Sequence, residues 1–159
     1  MADSKSGRVK LNISSLNKVV RALAGANKIG VKVGVLKNKN SRDDGKTNAE
    51  VGVKHEFGSF SENIPRRSFI ADPLKLKSKE LVKSIKDIEQ YVVSGDLTEI
   101  FKLIGVAAED VIGEAFETGG FGTWKPLAPL TKELKGSDAI LIETSQLQSA
   151  ITSTVVKGQ

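Results

Sequence analysis

The stretch KIGVKVGVLK, Lys28 to Lys37, places Ile29, Val31, Val33 and Val35 in alternation with Gly30, Lys32, Gly34 and Leu36. A two-residue period of this kind predicts a β-strand with one buried face. Glycines on its other face predict close approach by a neighbouring backbone. Near the far end of the chain, ITSTVVK, Ile151 to Lys157, repeats the period, with Ile151, Ser153 and Val155 alternating with Thr152, Thr154 and Val156. It is a candidate partner for the first strand, Ile29 to Leu36.

Working outward from these strands, the intervening sequence reads mostly as helix. ISSLNKVVRALAGA, Ile13 to Ala26, carries Ile13, Leu16, Val19, Val20 and Leu23 at helical spacing, which predicts one amphipathic helix. NKNSRDDGKTN, Asn38 to Asn48, has no apolar residue and reads as an exposed, mobile loop. NAEVGVKHEFG is a short helix ending at Gly58. Pro65 disfavours helix at Ile64, and Pro73 opens a helix whose stripe runs Leu74, Leu81, Ile85, Ile88 and Val92. Ser94 and Gly95 break it, and Asp96 with Glu99 caps a second helix with Leu97, Ile100, Phe101, Ile104, Ala108, Val111, Ala115 and Phe116 on its apolar stripe. Irregular backbone is expected from the GGFG that follows through Pro129. Ile140 to Ile142 form a short buried run, and ETSQLQSAI a short helix that Thr144 caps. The expected fold is α+β: a small, mainly antiparallel sheet packed against an αα-hairpin, with an N-terminal helix. Residues 1–12 are expected to be a flexible segment and 13–157 a single domain.

A chain of 159 residues, 39% hydrophobic and 27% charged, has the composition of a soluble globular protein, but its 5% aromatic content leaves the core to aliphatic packing. No apolar run reaches the 18 or so residues of a membrane span, and the polar start MADSKSGRVKLN is no signal segment. A cytoplasmic origin without membrane association is expected. Absence of cysteine removes disulfides and thiolate metal sites. Residues 1–70 carry 14 Lys and Arg against 6 Asp and Glu, and residues 71–159 carry 10 against 13. The basic half suits an acidic partner, and two oppositely charged halves suit head-to-tail stacking of subunits. Nucleic acid is one such partner, but the cations are scattered, without an Arg-rich helix or interleaved aromatics.

Three local patterns invite chemistry. NSRDDGKT, Asn40 to Thr47, approaches a phosphate-binding loop, yet has asparagine at the first required glycine and two aspartates where phosphate would lie. Glu109, Asp110, Glu114 and Glu117 place carboxylates one helical turn apart, a pattern that a metal site needs and that an ordinary solvated helix face also shows. His55 and Glu56 are adjacent, so their side chains diverge on any regular element and cannot act as base and orienter for each other. No second histidine and no nucleophile-elbow serine accompanies them. No catalytic, cofactor or metal residue is therefore assigned.

The same region carries a resemblance. NAEVGVKHEFGSFSENIPRRSF, Asn48 to Phe69, resembles the "HEFG, then IPxRPF" segment of the virion morphogenesis, or tail completion, family of long-tailed bacteriophages. A second block is similar to that family's "WxPL...T...KG...ILI.TGxLxxS" region: Trp124, Pro126, Leu127, Thr131, Lys135, Gly136, Ile140 to Ile142, Thr144, Leu147 and Ser149. Ser68 stands where the family usually has proline, Ser145 where it usually has glycine, and Arg66 where a small residue is common. The resemblance spans residues 13–157. It implies a structural protein without catalysis or cofactor, in a neck ring between portal and tail tube. It further implies a homo-oligomeric ring, six-fold by preference, that would contact portal or connector and other neck and tail proteins, near packaged DNA. The implied location is the virion, after assembly in the host cytoplasm. His55, Glu56, Phe57, Gly58, Pro65, Arg66, Arg67, Phe69, Trp124, Pro126 and Leu127 are the motif and candidate interface residues. Physically, Gly58 is expected at positive φ, Phe57 and Phe69 as core pins, Pro65 as a stiffener, and both arginines as surface groups for a subunit contact. The alternatives are a basic nucleic-acid-binding domain and a tail-associated enzyme.

Overall fold

The computed structural model describes residues 20–21, 24–25, 28–36, 39–42, 45–84, 91–92, 97–129, 133 and 145–157. Strands β1 (Ile29–Val35) and β2 (Ile151–Lys157) pair antiparallel, with Ile29 opposite Lys157 and Val35 opposite Ile151. The pairing expected from the two-residue period is present. Paired residues share a face, so Val31, Val33, Ile151, Ser153 and Val155 line one side. Lys32 and Thr154 lie opposite each other on the other side, both exposed. The glycines of that side approach side chains rather than backbone: an added Cβ would lie 3.6 Å from Val156 at Gly30 and 3.6 Å from Ile70 at Gly34.

Five helices complete the labelled elements: α1 (Asn48–Phe57), α2 (Ala71–Leu76), α3 (Ser78–Ser84), α4 (Leu97–Glu117) and α5 (Gln146–Ser149). The 21-residue α4 is the spine, because its apolar stripe covers one face of the sheet while α2 and α3 pack on it as well. Gly105 permits the contact with β2, since a Cβ there would collide with Ser153. Glu109 fastens the same interface by accepting a hydrogen bond from the Ser153 backbone N–H at 2.6 Å. Ile112, completely buried like Ala115, lies beside the expected stripe, whose Val111 is half-buried. The sheet packed against helices makes the fold α+β, as the alternation of patterns predicts.

Some expectations need correction. The helix expected to run from Leu74 breaks at Lys77, where the Ser78 hydroxyl donates to the Lys75 carbonyl at 3.0 Å and competes with the helical ladder. Its continuation over 85–90, the turn with Asp96, and the αα-hairpin connection lie outside the described residues, as do residues 1–19, the run Ile140 to Ile142 and the Thr144 cap. Of the N-terminal helix, Val20, Arg21, Ala24 and Gly25 are described and helical. The polar loop Asn38 to Asn48 is not simply exposed. Asn48 is buried and its amide donates to the carbonyls of Lys39 and Ser41 at 2.8 and 3.2 Å, while the Asn40 side chain accepts from the Ala49 backbone N–H at 2.7 Å. Its near-phosphate motif ends in Thr47, which caps α1 in a reciprocal capping box with Glu50.

Candidate functional site

Four of the singled-out residues, Glu56, Arg67, Phe69 and Trp124, meet at one buried junction together with Ser68. Helix α1 faces the core with Asn48, Gly52 and Glu56, each one turn from the next. Glu56 thereby enters the interior at 7% exposure. One of its carboxylate oxygens accepts from the Ser68 hydroxyl at 2.7 Å and the Ala71 N–H at 3.0 Å. The other accepts from the Phe69 and Ile70 N–H groups at 2.8 and 3.0 Å. The Ile70 and Ala71 groups are donors that a helix start leaves without intrahelical partners, so Glu56 of α1 serves as the cap that the N-cap residue Ile70 does not supply. Ser68 relays the connection by accepting from the Asp72 N–H at 3.0 Å. The Ser68 hydroxyl thus makes two hydrogen bonds, one donated and one accepted.

The second block closes the junction from the other side. The Trp124 indole N–H donates to the Ser68 carbonyl at 2.9 Å, and Arg67 donates from Nε to the Lys125 carbonyl at 3.0 Å and from its terminal nitrogen to the Pro126 carbonyl at 3.4 Å. Arg67 is only 6% exposed, and its burial pulls the guanidinium below its ordinary pKa. Rings of Phe69, Phe116 and Trp124 stack in series, Phe69 to Phe116 at 5.2 Å and Phe116 to Trp124 edge-on at 5.8 Å. What aims Trp124 is the turn after α4. Gly119, Gly120, Phe121 and Gly122 all take left-handed φ values of 63°, 67°, 56° and 77°. A Cβ on Gly120 would overlap the indole. Leu147, from the end of the second block, lies in the same core cluster.

Other motif residues take a different place. Gly58 has φ 81° as expected and ends α1, with Arg66 N and Ile64 O at 3.0 and 3.2 Å from where a Cβ would sit. Pro65 is half-buried after a turn in which Ser59 and Ile64 exchange backbone hydrogen bonds at 2.9 and 2.8 Å. Phe69 is a core pin as expected, but Phe57 is not. The inward phase of Asn48, Gly52 and Glu56 turns Phe57 and Val53 to solvent. The two arginines also part company. Arg66 stays on the surface in a two-pronged pair with Asp72 at 2.6 and 2.9 Å, which raises its own pKa and lowers that of Asp72. Arg67 is interior, so its donors serve the chain's own carbonyls. Pro126 is exposed and Leu127 half-buried.

His55 and Glu56 diverge, as adjacency on a helix requires: Glu56 goes inward, while His55 helps line a surface cavity of about 370 Å³ with Lys46, Glu50, Val51, Lys54, Glu62 and Ile64. The cavity's carboxylates are already engaged, Glu50 with Thr47 and Glu62 with Lys54 at 2.6 Å, and both have lowered pKa values from those hydrogen bonds first. The carboxylates Glu109, Asp110, Glu114 and Glu117 border a second cavity along α4. Among the described residues no group of three or more His, Asp or Glu is placed to hold a metal ion, and no helix is long and apolar enough to cross a membrane. Sequence reasoning missed the inward role of Glu56, whose neighbours Lys54 and His55 make it look solvated; the Thr47 to Glu50 spacing was the one legible sign of the α1 start. Compared with known proteins, the chain matches no family model, no curated protein and no solved structure.

Proposed function

We propose that the chain is a structural protein of a long-tailed bacteriophage virion that completes the tail or joins it to the head, working as a homo-oligomeric ring in the neck. The observation that supports this most is the interlock of the two motif blocks. Trp124 and Ser68, 56 positions apart in sequence, meet by a direct hydrogen bond, and Arg67 reaches the carbonyls of Lys125 and Pro126. Motif residues that hold two distant segments in register act as architecture, and their polar atoms are consumed inside the chain rather than aimed at a substrate. Arg67, a cation of the basic half, is buried and committed to backbone carbonyls, which removes it from phosphate contact and weighs against a nucleic-acid module. A six-fold ring, with portal and tail proteins as its neighbours, is the form of assembly we propose.

Loss of the chain from the phage that encodes it should leave filled heads and finished tails as separate particles, and adding the purified protein should join them. Joining that proceeds equally well without the chain contradicts the assignment. So does a salt-sensitive shift of random DNA at micromolar protein together with absence of the chain from purified particles.

A further inference from the structure

Helix α1 wears its apolar side outward. Val53 and Phe57, four positions apart and therefore on one face, are 57% and 72% exposed, and Phe60 on the next turn is fully exposed at 105%. That turn is rigid: Ser59 and Ile64 exchange two backbone hydrogen bonds, the Asn63 N–H donates to the Phe60 carbonyl at 3.2 Å, and the Lys54 to Glu62 ion pair ties it back onto α1. We propose that this face is a two-fold docking surface that takes the same face of a second copy of the chain. Two features select that occupant. The first is charge: Lys54 is paired with Glu62 and Arg66 with Asp72, and Lys46 shares the cavity rim with Glu50 and Glu62, so cations and carboxylates balance. Such a self-neutralised rim meets its own copy without like-charge repulsion and gives a polyanion little to bind. The second is area. One exposed phenylalanine presents about 200 Å² and the three side chains together about 400 Å². Two copies supply about 800 Å², close to the apolar half of a standard interface of about 1,600 Å². Because the aromatic turn is already held in shape, little ordering cost opposes the contact.

This contact is isologous and differs from the head-to-tail contact of a ring, so either can fail while the other stands. Sedimentation velocity of the full chain over a range of concentrations tests it. Wild type should pass from monomer to an even-numbered species in the micromolar range. The double variant Phe57→Ser and Phe60→Ser should weaken that step by about 30-fold or more. Thermal unfolding should be unchanged, since both rings are exposed. The chain has no cysteine, so Ser61→Cys provides a second reading: mild oxidation should trap disulfide dimers through Ser61→Cys and not through Lys102→Cys on α4. A wild-type chain that stays monomeric at 100-fold higher concentration overturns the proposal. Self-association that the double variant leaves intact does so too, and so does a phenylalanine-dependent complex with a different protein in place of the dimer.

Discussion

Within His55 to Phe69, two sets of neighbouring residues behave as opposites. Glu56, Arg67, Ser68 and Phe69 turn inward, and the side-chain hydrogen bonds of the first three go to the chain itself. Phe57, Phe60 and Arg66, interleaved with them, turn outward. The polarity is the reverse of ordinary expectation: a carboxylate and a guanidinium are inside while two phenylalanines are in solvent. What decides the side is the supply of partners. Backbone donors at the start of α2 and backbone acceptors at Lys125 and Pro126 satisfy the buried charges, and a satisfied buried charge is tolerable where an orphaned one is not. One short stretch therefore carries both a folding instruction and a surface.

Substituting the inward set should break the fold hardest. Glu56→Ala leaves the buried Phe69 N–H and Ser68 hydroxyl and the part-buried Ile70 and Ala71 N–H groups without their acceptor, and should destabilise by about 3 to 5 kcal/mol in urea unfolding, with Glu56→Gln recovering part of the loss. Recovery to wild-type stability by the alanine variant would mean that water replaces the carboxylate easily and that the junction is looser than its distances indicate.

The two arginines sharpen the contrast. Arg67→Ala removes the donors from two backbone carbonyls and the packing of a buried stem, and should cost about 2 to 4 kcal/mol. Arg66→Ala should change stability by less than about 0.5 kcal/mol, because its pair with Asp72 is exposed and screened. Asp72 titrates below its ordinary range through Arg66, so the pair's small contribution is present above the unfolded carboxylate value and fades as pH falls through the lower folded one. Equal effects of the two alanine variants on urea midpoints would erase the distinction between inside and outside.

A comparably small effect of opposite sign is expected at Ser145, which holds φ 53° at the start of α5. Left-handed backbone costs a non-glycine residue about 1 kcal/mol or more, and glycine returns part of that gain as chain entropy. Ser145→Gly should therefore stabilise by roughly 0.5 kcal/mol, measurable as a small rise in melting temperature. A clear loss would point to a use for the serine hydroxyl.

These contrasts also mark what the sequence could disclose. The strands were legible because Ile29 to Val35 and Ile151 to Lys157 alternate at a period that only an extended chain satisfies. The end of α1 was legible because Gly58 is a residue that accepts positive φ. The phase of α1 was not, since Val53 and Phe57 look like core positions until Glu56 finds its donors in a segment 12 to 15 positions away. The break at Lys77 carries neither glycine nor proline, and the burial of Asn48 depends on carbonyls of a loop that composition marks as solvent. Tertiary partners, absent from any local pattern, decide the phase of α1 and the burial of Asn48, whereas the break at Lys77 follows the local bond from the Ser78 hydroxyl to the Lys75 carbonyl.

The interlock of the two blocks is the centre of the account, and the indole N–H of Trp124 reports on it directly. The chain has a single tryptophan, so one resonance follows the hydrogen bond to Ser68 that joins positions 56 apart. Native-state hydrogen exchange at that resonance should proceed only through global unfolding, with a free energy equal to that from urea denaturation and falling in step in Glu56→Ala. Exchange through a low-energy local opening, while the amides of α4 stay protected, would show that the two blocks merely touch and would contradict the account.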